Sequence, residues 1–220
     1  MRFIDNVIEI RYEAEGRSTA LAEGLRIVET LLQHLALEHG KCFTARPLFL
    51  EDEAENLIPL PIILFQGTVT VYDLAGLGNQ VIEAAGRVGV DDAVLEKALD
   101  YYEHALYLMG AGPGPSWVPS TYRTAGHLVA GAFLFLWKAL SAIVGDPSID
   151  GDYQRRYRTL GLDYVFFRDT IEEIRRLRNE DDVAHYRLDA TGLETLKQRF
   201  EMARTAVRQV IIAYVAYLRS

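Results

Sequence analysis

Arginine, asparagine and histidine lie close together in the segment LRNEDDVAHY, which covers residues 177–186. Asn179 follows Arg178 directly, and His185 comes after six intervening residues. Histidine transfers protons near neutral pH, whereas arginine can hold a phosphate group and stabilise charge that builds up on it. RNA supplies its own nucleophile, the 2′-hydroxyl group. Residues of these types can therefore cleave an RNA strand without a metal ion.

The spacing of this segment has two interpretations. In a continuous helix, seven residues return to within about 20° of the starting direction, about 10.5 Å along the axis, so Arg178 and His185 would share one face. Both could then reach one phosphodiester between them. Alternatively, Asp182 lies four residues after Arg178 and Asp181 four before His185, the spacing of helix-surface ion pairs. Asp181 could also orient His185, and the spacing leaves these alternatives open.

Positive charge is concentrated in the same part of the chain. The protein has a net charge of −8, which argues against generic coating of nucleic acid. Residues 1–150 carry 10 basic and 20 acidic side chains, whereas residues 151–220 carry 13 and 11. The basic residues there are mostly arginines, whose planar fork suits phosphate; the alternative is a set of solvated helix faces paired with Asp169, Glu172 and Glu173. Arg175 and Tyr186 are further candidates for substrate binding.

Hydrophobic periodicity predicts the elements that must position these residues. Helices are expected at 18–39, from Asp91 or Asp92 to near Gly110, at 121–144, at 162–178 and at 190–218. Alternating segments predict strands at 3–13 and 62–72, and the proline-containing segment 41–61 is expected to be a loop. The fold class expected is mainly α, with an N-terminal α+β region.

A run of glycine and proline, GPGPS at 112–116, marks a boundary that no helix can cross. It separates an N-terminal region of mixed helices and strands, residues 1–110, from a C-terminal helical domain, residues 120–220. The alternative is that the helical domain begins near residue 91. No internal repeat divides the chain further.

The apolar stretch 128–144 is the one segment that resembles a membrane span. It is short for a span and contains Lys138, so a buried core helix is expected and no membrane is predicted as a partner. The chain has one cysteine, Cys42, and no apolar run at its start. These features predict a cytoplasmic protein.

The remaining sequence motifs are too incomplete to predict a cofactor or metal site. The sequence Gly76-Leu77-Gly78 lacks the third glycine of a dinucleotide fingerprint. The pairs Asp100 with His104 and His34 with Glu38 have helical spacing, but two ligands do not make a metal site. We therefore expect no cofactor and no metal ion. The aromatics Tyr164, Phe166 and Phe167 could stack RNA bases, although their helical spacing favours core packing.

The segment around Arg178 resembles the signature of the HEPN superfamily, the higher eukaryote and prokaryote nucleotide-binding domains. That motif has an arginine, a polar residue and then a histidine after a short spacer, and here Arg178, Asn179 and His185 match it. The context is similar as well, because the apolar helix HLVAGAFLFLWKALSAIV precedes the motif and an amphipathic helix follows it. The resemblance covers residues 120–220.

The resemblance implies an all-α homodimer that is a metal-independent ribonuclease, of the kind found in toxin–antitoxin systems and antiviral defence. It implies that His185 transfers protons, that Arg178 engages the scissile phosphate and that Asn179 orients either the phosphate or His185. RNA and an antitoxin or regulatory protein would be partners. The family also has members that bind without cutting, and the carboxylates of residues 180–182 favour such a non-catalytic module for RNA, nucleotide or protein. A helical protein unrelated to the family is a third alternative.

Overall fold

The computed structural model describes residues 2–4, 7–9, 17–40, 42, 49–51, 57–59, 92–110, 122–146, 152–179 and 190–220. This part of the chain is mainly α, which confirms the predicted class. The helices are α1 (Arg17–His39), α2 (Ala93–Leu108), α3 (Tyr122–Val144), α4 (Tyr153–Thr159), α5 (Tyr164–Leu177) and α6 (Ala190–Leu218). The strands are β1 (Arg2–Ile4), β2 (Val7–Glu9), β3 (Phe49–Glu51) and β4 (Leu57–Pro59).

The chain divides into two compact units. One consists of Met1–Gly89 with Pro113–Pro115, and it contains α1 and the four strands. The other consists of Val90–Gly112 with Ser116–Ser220, and it contains α2 to α6. The candidate site therefore belongs to the second unit.

In the first unit, α1 ends at the predicted residue and begins one residue before the predicted start. It ends where Gly40 adopts a φ of 64°, a left-handed conformation that favours glycine, and the Gly40 N–H donates to the Ala36 carbonyl at 2.8 Å. The single strand predicted over 3–13 is wrong, because β1 and β2 pair as an antiparallel hairpin in which Phe3 lies opposite Ile8. Charged and polar residues at Asp5 and Asn6 separate the two apolar runs.

The segment 41–61, expected to be a loop, also contains a pair of strands. β3 and β4 are antiparallel, with Leu50 opposite Ile58. Pro59 stands at the end of β4, where a residue without an N–H donor is tolerated. The strand predicted at 62–72 lies outside the described residues.

In the second unit, α2 begins at a side-chain cap. The Asp92 carboxylate accepts a hydrogen bond from the Leu95 N–H at 2.8 Å, which satisfies a donor that the first turn leaves without a helical partner. The same oxygen accepts from the Tyr214 hydroxyl of α6 at 3.1 Å. The sequence left Asp91 and Asp92 as alternatives, and Asp92 is the residue that caps α2 and joins it to α6.

Helix α3 lies at the centre of this unit and contacts α2, α4, α5 and α6. Its buried residues are Val129, Ala130, Ala132, Phe133, Leu136, Trp137, Ala139, Leu140, Ile143 and Val144. The Phe133 ring packs edge-on against Phe200 of α6, with ring centroids 5.8 Å apart. Among the described helices it alone is long and apolar enough to cross a membrane, over His127–Val144, but 56% of that window is buried. A buried core helix meets the same criteria.

Helix α4 is absent from the sequence-based prediction. It is only seven residues long and, in place of an aliphatic stripe, it buries Tyr153 and Tyr157 on one side. These rings lie 5.3 Å apart and contact Tyr164 at the start of α5, at 5.5 and 5.4 Å. Aromatic packing therefore attaches α4 to α5.

Helix α5 carries the front half of the candidate motif. The Asp163 carboxylate caps its start by accepting from the Val165 N–H at 2.9 Å. Its buried face consists of Phe167, Ile171, Ile174 and Leu177. The Arg178 N–H still donates to the Ile174 carbonyl at 3.1 Å. Arg178 therefore stands at the C-terminal cap of α5, where the buried stripe ends.

Candidate functional site

A shallow cleft of about 610 Å³ lies along the C-terminal half of α5, and α6 provides part of its wall. Its lining residues are Asp169, Thr170, Glu172, Glu173, Arg175, Arg176, Arg178, Asn179, Arg199 and Met202. Arginines and carboxylates dominate this lining, which suits a charged, hydrogen-bonding ligand better than an apolar one.

Arg178 is held on the ring of a buried tryptophan. Its guanidinium carbon lies 4.6 Å from the centroid of the Trp137 ring, the arrangement of a cation–π contact. A nitrogen of the same group is 4.0 Å from an Asp146 oxygen, and 28% of the side-chain surface remains exposed. The stacking restricts the rotamers of Arg178, so less entropy is lost when its planar fork binds an oxyanion.

The other arginines of the cleft form ion pairs with carboxylates of α5. Arg175 donates to Glu172 at 2.8 Å, one turn away. Glu173 lies between Arg176, at 3.6 Å, and Arg199 of α6, at 3.3 Å. The alternative reading of these arginines, as paired helix faces, is therefore correct for their contacts in this structure. The Glu173–Arg199 pair also joins α5 to α6.

The charge balance of the described lining is slightly positive. Four arginines face three carboxylates there. The C-terminal end of α5 carries partial negative charge from its unpaired carbonyl groups, and Arg175 and Arg176 in its last turn offset that charge. A phosphate would therefore be attracted by the guanidinium groups, not by the helix end, and it would have to compete with the carboxylates that already pair with them.

Tyrosines of α4 lie close to the carboxylates of this region. Burial, with smaller contributions from the nearby charges of Glu172 and Asp146, raises the pKa of Tyr153 to about 12. Burial also raises the pKa of Tyr157. The two hydroxyl groups lie 3.4 Å apart. Because both remain protonated at neutral pH, Tyr153 does not act as a proton-accepting base there, and the cluster supports the site by packing.

The structure brings three of the predicted site residues together. Arg175, Arg178 and Asn179 all line the cleft. His185 and Tyr186 lie outside the described residues, as do the carboxylates of residues 180–182. Arg178 and His185 would share one helical face only if the helix continued past Arg178. This condition fails because α5 ends at Leu177 and the Asn179 N–H turns back to the Arg176 carbonyl at 3.4 Å.

Sequence reasoning missed three residues that shape this site. Trp137 entered only as part of the resemblance, because a tryptophan 41 positions before Arg178 has no local spacing that joins the two. Asp146 follows the Gly145 that ends α3, and Arg199 lies 26 residues from Glu173. Helical spacing connects only neighbours three or four residues apart, so contacts between helices were not visible in it.

The candidate metal pairs differ in their surroundings. His104 and Asp100 form an exposed pair on α2, 3.4 Å apart, and the His104 ring stacks on Phe135 of α3 at 5.2 Å. His34 is fully buried in α1. Within the described ranges, no group of three or more histidine, cysteine or acidic residues is placed to hold a metal ion. The alternative of a helix-surface pair is correct for His104.

No family model matches the chain, and no curated protein or solved structure is significantly similar to it. The assignment of a function therefore depends on the residues of the cleft and on the motif.

Proposed function

We propose that the chain is an HEPN-like endoribonuclease that cleaves RNA by attack of the 2′-hydroxyl group, without a metal ion. In this proposal the C-terminal helices form the HEPN-like bundle, the N-terminal region is α+β, and the protein is a cytoplasmic homodimer. An antitoxin or regulatory protein is a further proposed partner, as in toxin–antitoxin and antiviral defence systems.

The observation that carries the proposal is the placement of Arg178. Its guanidinium is fixed on Trp137 at 4.6 Å and faces a cleft that Asn179 and Arg175 also line. An arginine that is already oriented can stabilise charge on a phosphate with little reorganisation. Exposed arginines elsewhere in the second unit, such as Arg168 beside Asp169, have no comparable aromatic support among the described contacts.

The proposed reaction assigns one role to each residue of the motif. His185 accepts the proton of the 2′-hydroxyl, whose oxygen attacks the adjacent phosphorus. The bond from phosphorus to the 5′-oxygen breaks, and this oxygen takes up a proton from the imidazolium or from water. The products are a 2′,3′-cyclic phosphate and a 5′-hydroxyl end. Arg178 stabilises the charge on the phosphate, Asn179 orients it, and Arg175 and Tyr186 bind the flanking nucleotides.

A second candidate is a non-catalytic module that binds RNA, nucleotide or a protein partner. The carboxylates of the cleft favour it, since each lining arginine has an acidic group within 4.0 Å. Such ion pairs fix the orientation of the arginine side chains, and they lower the affinity of the surface for a polyanion. A ligand with both positive and negative groups would suit this surface.

The test is an RNA cleavage assay on the purified full chain in EDTA. Wild type is compared with His185→Ala and with His104→Ala, a control that removes an exposed histidine from α2. The proposal predicts 2′,3′-cyclic phosphate ends from wild type and His104→Ala, and none from His185→Ala. RNA that all three bind but leave intact would support the binding module. Equal cleavage by all three would contradict the assignment of the site.

A further inference from the structure

Two consecutive phenylalanines near the start of α5 have opposite environments. Phe167 is buried, with 6% of its surface exposed, and belongs to the core, as its helical spacing predicts. Phe166 is 78% exposed, the highest value among the exposed large apolar residues that the structure describes. Its ring packs edge-on against Phe167, with centroids 5.3 Å apart. Phe166 is therefore an oriented aromatic ring on the surface.

The position of Phe166 on α5 connects it with the cleft. Glu173 is seven residues further on, so the two lie within about 20° on the same flank of the helix, about 10.5 Å apart along its axis. That flank faces α6, because Glu173 pairs with Arg199. Thr170, between them in sequence, lines the cleft, and Met202 lines it from α6 with an exposed side chain. Thr170, four residues after Phe166, thus connects the cleft to Phe166 along α5, although Phe166 itself is not one of the lining residues.

We propose that Phe166 stacks against a base of a single-stranded RNA whose phosphates bind the arginines of the cleft. This inference rests on the proposed function and names the form of its substrate. An exposed ring beside guanidinium groups is the combination by which proteins bind single strands, since every base has a face that can stack while the cations hold the backbone. The four arginines of the lining supply cations for the phosphates, which would compete with the carboxylates that pair with these arginines.

The single-stranded form follows from the geometry of stacking. Bases inside an RNA duplex are already stacked on their neighbours and are not available to a side chain, whereas unpaired bases can be splayed out onto an aromatic ring. Arg178 lies twelve residues beyond Phe166, about 18 Å along the axis of α5 and its cap. The ring would therefore contact a nucleotide away from the scissile phosphate, and it would contribute to affinity more than to the chemical step.

The test measures binding of two oligonucleotides to the full chain. The first is a single-stranded 2′-O-methyl RNA, which lacks the nucleophile and stays intact; the second has the same backbone without bases. Phe166→Ala is expected to weaken binding of the first by about 5- to 150-fold, the range for loss of one base stack, and to leave binding of the second unchanged. Phe166→Trp should restore the affinity. Val165→Ala, at the neighbouring position with 66% exposure, should not alter it.

Three outcomes would overturn the inference, and they are distinguishable. Wild type and Phe166→Ala could bind the base-bearing strand equally, which removes the stacking role and leaves the proposed function in place. Wild type could bind neither oligonucleotide, which overturns both. Phe166→Ala could dissociate an oligomer in sedimentation equilibrium with unchanged RNA affinity, which makes the ring part of an interface between copies. A thermal melt followed by circular dichroism confirms that each variant is folded.

Discussion

Two half-buried arginines of the second unit have opposite surroundings. Arg204 of α6 has 18% of its side chain exposed and donates through two nitrogens to Glu201, one turn away. It also lies beside the buried Tyr102 of α2, whose pKa burial raises and Arg204 lowers. Arg178 is 28% exposed, lies on Trp137 and is 4.0 Å from its carboxylate neighbour.

The two arginines differ in the groups that their guanidinium N–H donors contact. The Arg204 fork donates to a carboxylate of its own helix and lies beside the buried phenol of Tyr102 on α2, so it belongs to the junction of α2 and α6. The Arg178 ion pair is longer than a direct hydrogen bond, and its contact with the Trp137 ring is a cation–π contact at 4.6 Å. Its donors can therefore turn to a ligand without loss of a short internal bond. Arg204 therefore contributes to the packing of the helices, whereas Arg178 is the candidate ligand-binding arginine.

The largest expected effect is on catalysis. Arg178→Ala should lower kcat/KM for RNA cleavage by about 10²- to 10³-fold, the typical cost of removing one donor that stabilises charge in a transition state. Within the described ranges this variant loses no short hydrogen bond, so its loss of stability should be limited to the cation–π contact with Trp137, about 0.5–2 kcal/mol. An equal loss of activity in Arg204→Ala would remove the distinction between the two arginines.

The reverse pattern is expected at the junction. Arg204→Ala should lower the free energy of unfolding by about 1–3 kcal/mol, because it removes the cation beside the buried Tyr102 hydroxyl and the hydrogen bonds to Glu201. A urea titration followed by circular dichroism measures this loss. Cleavage per folded molecule should be retained. An unchanged urea midpoint would show that the network around Arg204 contributes nothing to stability.

A smaller effect is expected at the other polar contact of this junction. Tyr214→Phe removes the hydrogen bond to Asp92 and should cost about 0.5–1.5 kcal/mol at neutral pH. Burial, together with the charge of Asp92, raises the pKa of Tyr214 to about 12. Since the folded-state pKa exceeds the ordinary value of about 10, this contribution is complete below pH 10 and lost as pH rises towards 12.

The pH dependence of Tyr214 is measured as a difference. The stability gap between wild type and Tyr214→Phe in urea titrations should narrow between about pH 10 and 12. Because both proteins contain the other buried tyrosines, the effect of their titration on stability cancels in this difference. A gap that stays constant or widens in this range would contradict the contact with Asp92.

Much of the fold was predictable because its helices carry local signals. The bounds of α1, α2, α3, α5 and α6 agree with the prediction to within two residues. Apolar periodicity, the Asp92 cap and the glycines that end helices are all visible along the chain. Helix α4 was missed because two tyrosines replace the usual stripe, and the hairpin of β1 and β2 was merged into one strand because both are apolar.

The site was only half predictable. Arg175, Arg178 and Asn179 were found by residue type and by resemblance, and they do line one cleft. The stacking of Trp137 under Arg178 depends on how α3 and α5 cross, which no local spacing encodes. Phe166 and Phe167 show the same limit, because helical spacing favoured the core for both and only the packing of neighbouring helices leaves Phe166 exposed.

The most direct test of the proposed role of Arg178 measures the salt dependence of RNA binding to the full chain. With uncleavable 2′-O-methyl RNA, each phosphate contact to a single strand contributes about 0.7 to the slope of log K against log salt. Arg178→Gln should reduce that slope by about 0.7. Arg219→Gln is the matched control, because it removes one charge about 30 Å along α6 from Arg199 and should leave the slope unchanged. Equal slopes for wild type and Arg178→Gln would contradict the claim that Arg178 binds an RNA phosphate.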